Sequence, residues 1–282
     1  MTSKSSFYYY YRKYRIAYVF IAPTVLGMIV MHLIPIIQGI YMSFLNLNNF
    51  TLSQYLGAPF VYFNNYYDVL LNPGSPMRIG IFESIRNTLI YTLFVTAGQI
   101  GLGMIVALML NLEFRARSLV RTLFLFSWIV PTYVTGILWG FMWQQSIGII
   151  NIILVDWLHL LKTKPFWLVG PNTIWAIIIP TIWRFWPMSM MMLLAGLQGI
   201  SQELYDAVKI DGANRWTAFW KVTWPMLKPV WMILILFGMI YNVYSFNIVV
   251  MMFGNGAGFP GEWGYLMMTN IFRNSFMRWD FG

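Results

Sequence analysis

The chain has 282 residues, of which 59% are hydrophobic and only 10% are charged, and it contains no cysteine. Soluble domains carry about 45–50% apolar and about 25% charged residues, so this composition excludes an ordinary soluble protein. The absence of cysteine excludes disulfides and thiolate chemistry. The net charge of +9 does not predict nucleic-acid binding, because the basic residues stand in short clusters between apolar runs. The sequence therefore predicts a protein embedded in membrane lipid.

Five apolar runs reach the length of about 20 residues that a helix needs to cross a bilayer. They comprise residues 16–44, 88–112, 119–143, 173–194 and 230–253. The predicted fold is thus all-α, a polytopic helical bundle with five transmembrane helices. Pro23 and Pro35 predict kinks in the first of them. A shorter run, 147–161, contains Asp156 and His159 and predicts an interfacial or external helix.

The distribution of Lys and Arg predicts how these spans are oriented. When segment 1–15 is placed in the cytoplasm, the basic clusters at residues 12–15, 115–121 and 209–228 all lie on the cytoplasmic side. Basic residues are enriched in cytoplasmic loops of membrane proteins. We therefore predict a multi-pass protein with a cytoplasmic N-terminus and a cytoplasmic loop over residues 198–228.

The loop over 198–228 carries an unusual concentration of charge for this chain. Ser201 is a candidate N-cap and Gly212 a candidate C-cap of a first short helix. A second helix is predicted from about Asn214 to Pro225. The exposed small residue Ala207, bracketed by charges, would allow close approach of a partner, although a solvated connecting loop is the alternative interpretation.

The same loop carries a family signature. The run DAVKIDGA, which begins at Asp206, resembles the first half of the EAA-xx-DGA…F-xx-I-x-L-P signature of permease subunits in binding-protein-dependent ABC importers. Phe219, Val222 and Pro225 match its second half in spacing. Asp206 stands where the family has Glu, and Val208 where it has Ala. The segments IAPTVLGMIVMHLIPIIQGIYMSF, FNNYYDVL and LLAGLQGISQELYDAVKIDGA are similar to the carbohydrate-uptake branch, in particular to the first permease of the maltose/glycerol-3-phosphate type.

This resemblance implies partners and a place in the cell. The protein would be a single permease domain of a type I importer in the cytoplasmic membrane of a bacterium or archaeon. It would form a heterodimer with a second homologous permease and assemble with two ATP-binding subunits and an extracytoplasmic solute-binding protein. The loop would be a coupling helix that lies between spans 4 and 5 and docks in a cleft of the ATPase subunit. The residues implied in that contact are Glu203, Asp206, Ala207, Val208, Asp211, Gly212 and Ala213.

Catalysis is not expected of this chain. It has no G-xxxx-GK[ST] phosphate loop, so ATP and Mg²⁺ are expected on the partner ATPase, and no cofactor on this subunit. No clustered acid, base or nucleophile predicts a membrane-embedded enzyme. His32 and His159 lie far apart without Cys or spaced carboxylates, so no metal site is predicted.

Polar side chains within spans usually face a cavity, and two such groups predict a carbohydrate site. Aromatic rings suit the apolar C–H faces of a sugar, while amides and hydroxyls suit its hydroxyl rim. The candidates are Thr181, Trp183, Arg184 and Trp186 in the fourth span and Tyr241, Asn242, Tyr244, Ser245 and Asn247 in the fifth. Each of them can instead serve only in helix packing. Arg184 could meet an anionic substrate group or pair within the bundle.

Other interpretations of function remain open at this point. The chain could import another polar solute, such as glycerophosphate or a sugar-like osmolyte. An ion-coupled secondary transporter is a different class, but its coupling acids would lie within spans, whereas here the acids lie in loops.

Two smaller patterns predict packing and anchoring. Gly136 and Gly140 are spaced as G-xxx-G, which favours close helix packing. Three tryptophans are interpreted as anchors at the membrane interface, namely Trp139, Trp143 and Trp175.

The stretch IFRNSFMRWDFG resembles the family segment that precedes one further membrane helix. Without that helix, polar groups of spans 4 and 5 would face lipid. We therefore expect a sixth helix just beyond Gly282, or another chain in its place.

Overall fold

A computed structural model of the chain describes residues 3–254 and 260–278. Regular secondary structure in these residues is helical, which confirms the predicted all-α fold, and an isolated bridge pairs Leu45 with Phe60. The described residues fall into two units, one of residues 3–78 and 273–278 and the other of residues 79–254 and 260–272. Residues 279–282, which precede the expected sixth helix, lie outside the described residues.

The first unit is dominated by a long N-terminal helix. Helix α1, Ser3–Met28, continues through a π-helical turn, Ile29–Leu33, into α2, Ile34–Met42. Pro35 stands in the first turn of α2, where its missing N–H removes a backbone donor, and the wider π turn lies immediately before it. The short elements of this unit are a 3₁₀ helix, Leu52–Gly57, α3, Asn64–Leu70, and a π turn, Arg273–Met277.

The other helices follow one another with short connections. They are α4, Pro76–Asn111; α5, Arg117–Phe124; α6, Phe126–Ile129; α7, Thr132–Met142; α8, Ile149–Asn151, with its π continuation Ile152–Trp157; a 3₁₀ turn, Gly170–Asn172; α9, Thr173–Gln198; α10, Gln202–Ile210; α11, Arg215–Ala218, with its π continuation Phe219–Thr223; α12, Trp224–Met226; α13, Lys228–Val243; α14, Asn247–Met252; and α15, Met267–Phe272. A helix is thus present within the predicted short run 147–161.

Three helical stretches are long and apolar enough to cross a membrane, namely Tyr9–Met42, Pro76–Asn111 and Gly170–Gln198. Two bent pairs of helices raise the number to five if each pair crosses once. In the described residues, therefore, the five-span count depends on how the bent pairs are read.

The prediction of one helix over 119–143 is wrong. Arg117–Ile129 and Thr132–Met142 meet at an angle of 88°. The residue before a proline is disfavoured in the helical conformation, and Val130, which precedes Pro131, has an extended ψ of 128°. Pro131 also has no N–H to continue the helical hydrogen bonds. The chain therefore turns sharply at this point.

The prediction of one helix over 230–253 is wrong as well. Helix α13 ends at Val243, and α14 begins at Asn247 after Phe246, whose φ of −137° and ψ of −57° are not helical. At its other end α13 meets Arg215–Met226 at 64°, with Leu227 between them. Tertiary contacts account for the first of these breaks, because α14 packs against α7 rather than continuing along α13.

Gly136 and Gly140 make the contact between α7 and α14 possible. A Cβ atom on Gly136 would lie 2.6 Å from the Ile248 carbonyl oxygen, and one on Gly140 would lie 2.7 Å from the Met252 carbonyl oxygen. The two backbones therefore touch where the side chains are absent. The predicted packing role of the glycine pair is confirmed.

Two apolar clusters fill the second unit, and α9 contributes to both. One cluster contains Ile177 together with Trp139 and Trp143, and the other contains Leu193 and its neighbours on α9. Trp139 and Trp143 are only 8% and 3% exposed, so the interpretation of these two side chains as interface anchors is wrong. Trp175, the third of the set, is exposed.

We expect Gly136→Ala to destabilise the second unit. The added methyl group would displace the Ile248 carbonyl and separate α7 from α14, an overpacking that typically costs about 1–3 kcal/mol. Gly101→Ala is the matched control, because nothing lies within 4 Å of its added Cβ. Thermal unfolding in detergent, followed by tryptophan fluorescence, should give a lower midpoint for G136A than for G101A. Equal midpoints would contradict the close approach of the two backbones.

Candidate functional site

A cavity of about 620 Å³ lies within the second unit. Its walls come from α4, α6, α7, α9, α13 and α14, and aromatic rings such as Trp128, Phe185 and Phe237 alternate with amides and hydroxyls. None of the described side chains that line it is charged. A cavity of this kind can bind a neutral polar solute through ring faces and hydrogen bonds.

The structure brings all five predicted residues of the fifth span to this cavity. They are Tyr241, Asn242, Tyr244, Ser245 and Asn247. The break after α13 places the last three on a non-helical turn and at the start of α14, so that they face the cavity together. A straight helix would have spread residues 241–247 over nearly two turns and different faces. Their use in substrate binding stays a prediction.

The four predicted residues of the fourth span do not line the cavity. Trp183 packs on Trp139, with 5.9 Å between ring centroids. Trp186 is buried and packs on Phe124, with 5.2 Å between ring centroids. The side of α9 that faces the cavity consists instead of Phe185, Met188, Ser189 and Met192. These positions, i, i+3, i+4 and i+7, form one stripe along the helix. The spacing is visible in the sequence, but a search for polar residues alone does not find it.

Arg184 is bound to the backbone near the break between α6 and α7. Its Nη1 donates to the Trp128 carbonyl oxygen at 3.1 Å, and its guanidinium lies 5.2 Å from the centre of the Phe185 ring. The Trp128 carbonyl lies in the last turn of α6. The helix ends before a backbone N–H four residues later can bond to it. Arg184 therefore supplies a hydrogen bond that the break at Pro131 removed.

Thr181 takes part in a chain of hydroxyl groups that ends at the cavity. Its Oγ1 donates to the Ile177 carbonyl oxygen at 2.8 Å. Since its single proton is used there, Thr181 accepts from the Tyr91 hydroxyl, 2.9 Å away. Tyr91 in turn accepts from Ser245, at 2.8 Å. The Ser245 oxygen is left with acceptor capacity towards the cavity, which suits a solute that offers O–H groups.

Gln99 is a cavity residue that the sequence reasoning missed. It lies on α4 and is 7% exposed, yet its side-chain amide has no hydrogen-bond partner in the described part of the chain. Gly238 on α13 makes room for it, because a Cβ there would lie 2.9 Å from the Gln99 Nε2 atom. The polar series Thr92, Thr96 and Gln99 recurs on one face of an otherwise apolar helix, and this series was the available signal.

Asn242 differs from its neighbours in having a partner within the protein. Its Nδ2 donates to Thr96 Oγ1 at 3.0 Å, and the side chain is 4% exposed. It therefore holds α13 against α4 as well as reaching the cavity. Asn247 is exposed and makes no such bond in the described residues.

The charged loop forms the two short helices that the sequence predicts. Ser201 Oγ caps α10 by accepting from the Glu203 amide at 3.3 Å, and Gly212 follows the helix with a left-handed φ of +79°. Asn214 Oδ1 caps α11 by accepting from the Thr217 amide at 2.9 Å. The predicted N-cap of α10 and the start of the second helix are confirmed, whereas the C-cap is Asp211 and Gly212 occupies the position after it.

The loop exposes the residues implied in partner contact. Five of the seven are exposed, namely Glu203, Asp206, Ala207, Asp211 and Gly212, and the other two, Val208 and Ala213, are half-buried. Ile210 is 87% exposed, although it is a large apolar residue. On the inner side, the Tyr205 hydroxyl lies 2.9 Å from Thr223 Oγ1 and ties α10 to the helix that leads into α13.

Comparison with known sequences finds transport proteins. A family model described as "Binding-protein-dependent transport system inner membrane component" matches residues 99–277. The chain is 34% identical over 219 residues to the inner membrane ABC transporter permease protein YcjO of Escherichia coli (strain K12), covering 77% of this chain and 72% of that protein. It is 30% identical over 250 residues to the trehalose/maltose transport system permease protein MalF of Thermococcus litoralis, covering 88% of this chain and 80% of that protein.

A solved structure has the same fold. It is the bacterial alginate ABC transporter in complex with an alginate pentasaccharide-bound periplasmic protein, one chain of which matches with a TM-score of 0.74 at 19% identity. The match covers 96% of this chain and 87% of that one.

Proposed function

This chain belongs to the family of binding-protein-dependent transport system inner membrane components, and we propose its function on that basis. It is the transmembrane subunit of an ATP-driven importer that translocates a sugar or oligosaccharide delivered by an extracytoplasmic solute-binding protein. The observation that carries this proposal is the uncharged cavity, in which aromatic rings stand beside amide and hydroxyl groups. These are the groups that the apolar faces and hydroxyl rim of a sugar require.

A neutral sugar is favoured over a glycerophosphate. A phosphate is bound most strongly by Arg or Lys, and the described lining of the cavity contains neither. Arg184, the nearest candidate in sequence, is bound to the Trp128 carbonyl. The acceptor oxygen of Ser245 and the amides of Gln99 and Asn247 then select a solute rich in O–H groups.

The rest of the importer is proposed to come from partner chains. A second homologous permease would complete the pore, and two ATP-binding subunits would bind ATP and Mg²⁺. The N-terminus and the loop over 198–228 would lie in the cytoplasm, with the exposed face of α10 docked in the ATPase. The exposed Ala207 and Ile210 support such a contact, because they offer a small and an apolar surface between charges.

Transport would follow from a movement of the loop. When the ATPase dimer closes, α10 is carried with it, and the bond between Tyr205 and Thr223 passes that displacement to the helix that leads into α13. Helix α13 carries Asn242 and is followed by Ser245, so the cavity wall moves with the loop. The cavity would then open alternately to the two sides of the membrane.

Co-purification tests the assembly, and uptake tests the substrate. A tagged chain should bring down an ATPase and a second permease, and the complex in liposomes should take up a neutral sugar when its binding protein is supplied. Uptake of glycerophosphate in preference to neutral sugars would favour the alternative solute. Transport driven by an ion gradient without an ATPase would favour a secondary transporter.

We expect Asn247→Leu to weaken uptake without abolishing ATP hydrolysis stimulated by the binding protein. The substitution removes an amide from the cavity, and the loss of a neutral hydrogen bond of about 0.5–1.5 kcal/mol predicts roughly a 2- to 10-fold higher KM. Asn242→Leu is the contrasting variant, since it also breaks the bond to Thr96 and should lower the unfolding midpoint. Unchanged uptake in both variants would assign these amides to packing alone.

We expect Tyr91→Phe to change substrate recognition through Ser245. The ring still fills the core, but Ser245 loses the acceptor that fixes its proton, so this proton can turn towards the cavity and the hydroxyl is no longer held there as an acceptor. KM should rise by a factor similar to that expected for Asn247→Leu, with kcat unchanged. Tyr133→Phe, an exposed tyrosine on α7, is the matched control. A KM for Y91F equal to that of the control would contradict this arrangement.

We expect Ala207→Trp and Gly212→Val to uncouple transport. Tryptophan at 207 would hold the loop away from its partner, and a β-branched residue at 212 is strained at a φ of +79°. Both proteins should insert into the membrane but lose ATP-driven uptake. Ala17→Trp, on the exposed surface of α1, controls for added bulk. Normal ATPase assembly and uptake in both variants would rule out a lever at this loop.

A further inference from the structure

Arg117 and Arg121 converge on the end of α9. They lie one turn apart on α5, and Gln198 is the last residue of α9. With the Gln198 amide oriented so that its oxygen faces the two guanidinium groups, that oxygen accepts hydrogen bonds of 3.0 Å from Nη2 of Arg117 and 3.0 Å from Nη2 of Arg121. Two full positive charges therefore share one uncharged acceptor.

The positive charge of this cluster is not balanced within the described chain. Neither arginine forms an ion pair with a described carboxylate, and the Nε atoms of both are buried without a hydrogen-bond partner. Helix α5 also begins at Arg117 and has no acidic residue in its first turn, so its partial positive end adds to the charge of the two side chains. The arrangement favours an anion with several acceptor oxygens.

From this cluster we propose that Arg117, Arg121 and Gln198 form a binding site for the phosphate group of an anionic phospholipid. Guanidinium groups match phosphate oxygens in pairs, and the Gln198 oxygen holds the two guanidinium groups side by side. None of these three residues lines the cavity, so the site does not depend on what the cavity transports.

The position of the cluster indicates a lipid as the source of the phosphate. Arg117 begins one candidate membrane segment and Gln198 ends another, so the cluster lies where helices enter and leave the membrane. Phospholipid head groups carry phosphate at this boundary, so the position of the cluster favours a lipid as its ligand.

The experiment compares lipid binding by purified protein complexes that carry three forms of this chain. They are the wild type, the double variant Arg117→Gln/Arg121→Gln, and Arg115→Gln, which removes one positive charge from an exposed neighbour. Each is delipidated in detergent, incubated with phosphatidylglycerol or phosphatidylcholine, washed, and assayed for bound lipid by mass spectrometry. The unfolding midpoint of each is measured with the same lipids and with inorganic phosphate.

The wild type and R115Q should retain phosphatidylglycerol in preference to phosphatidylcholine and unfold at a higher temperature with it. The double variant should retain roughly tenfold less, since it loses charge-assisted hydrogen bonds. Equal retention in the double variant and R115Q would overturn the proposal. If millimolar inorganic phosphate stabilises the wild type as strongly as phosphatidylglycerol does, the proposal that a lipid supplies the phosphate is overturned.

If the double variant does not fold, the lipid preference of the wild type still tests the proposal. A wild type that shows no preference between the two lipids would overturn it. Loss of a co-purifying ATPase from the double variant, with its retention of phosphatidylglycerol unchanged, would instead assign the cluster to a protein contact and would likewise overturn the proposal.

Discussion

The second unit depends on how α9 accommodates Pro180. Proline has no N–H, so the carbonyl of Ala176 loses its helical donor, and in a hydrocarbon environment no water replaces it. The indole Nε1 of Trp143 donates to the Ala176 carbonyl oxygen instead, at 3.0 Å. This bond fixes the end of α7 on the first turn of α9. The next turn of α9 carries Thr181, whose hydroxyl bonds in turn connect α9 to α4 and to the turn after α13.

The same rule accounts for the other interruptions of the helices. The break at Pro131 removes a donor from the Trp128 carbonyl, and Arg184 supplies one. The break after α13 places Ser245 against Tyr91, so a hydroxyl pair stabilises a segment that is not helical. Irregular backbone is tolerated at membrane depth where it is buried in protein or lines a cavity, and both breaks border the cavity.

The features of the fold and of the cavity that could be predicted from the sequence are those determined by residues close together along the chain. The helix over 173–194, the N-cap of α10 and the glycine contact at Gly136 follow from periodicity, capping and spacing, all visible along a short stretch. The polar residues of YNVYSFN also indicated the cavity, because polar groups inside an apolar run need a polar surface. The break at Pro131 was not predictable, since neighbouring helices decide whether a proline kinks or breaks a helix. Gln99 was missed because its position depends on the absence of a side chain at Gly238, on a distant helix.

Helix α9 therefore connects sites with different chemical requirements. In its first half, Pro180 and Thr181 organise the hydroxyl groups beside an uncharged cavity. At its end, Gln198 lies between two arginines and only three residues before Ser201, which caps α10. We propose that a displacement of the loop after Gln198 also displaces the Thr181 hydroxyl, since the loop directly continues the helix that carries it. Because that hydroxyl bonds to Tyr91, and Tyr91 to Ser245, the hydrogen-bonding surface offered to a solute would then change with the position of the loop.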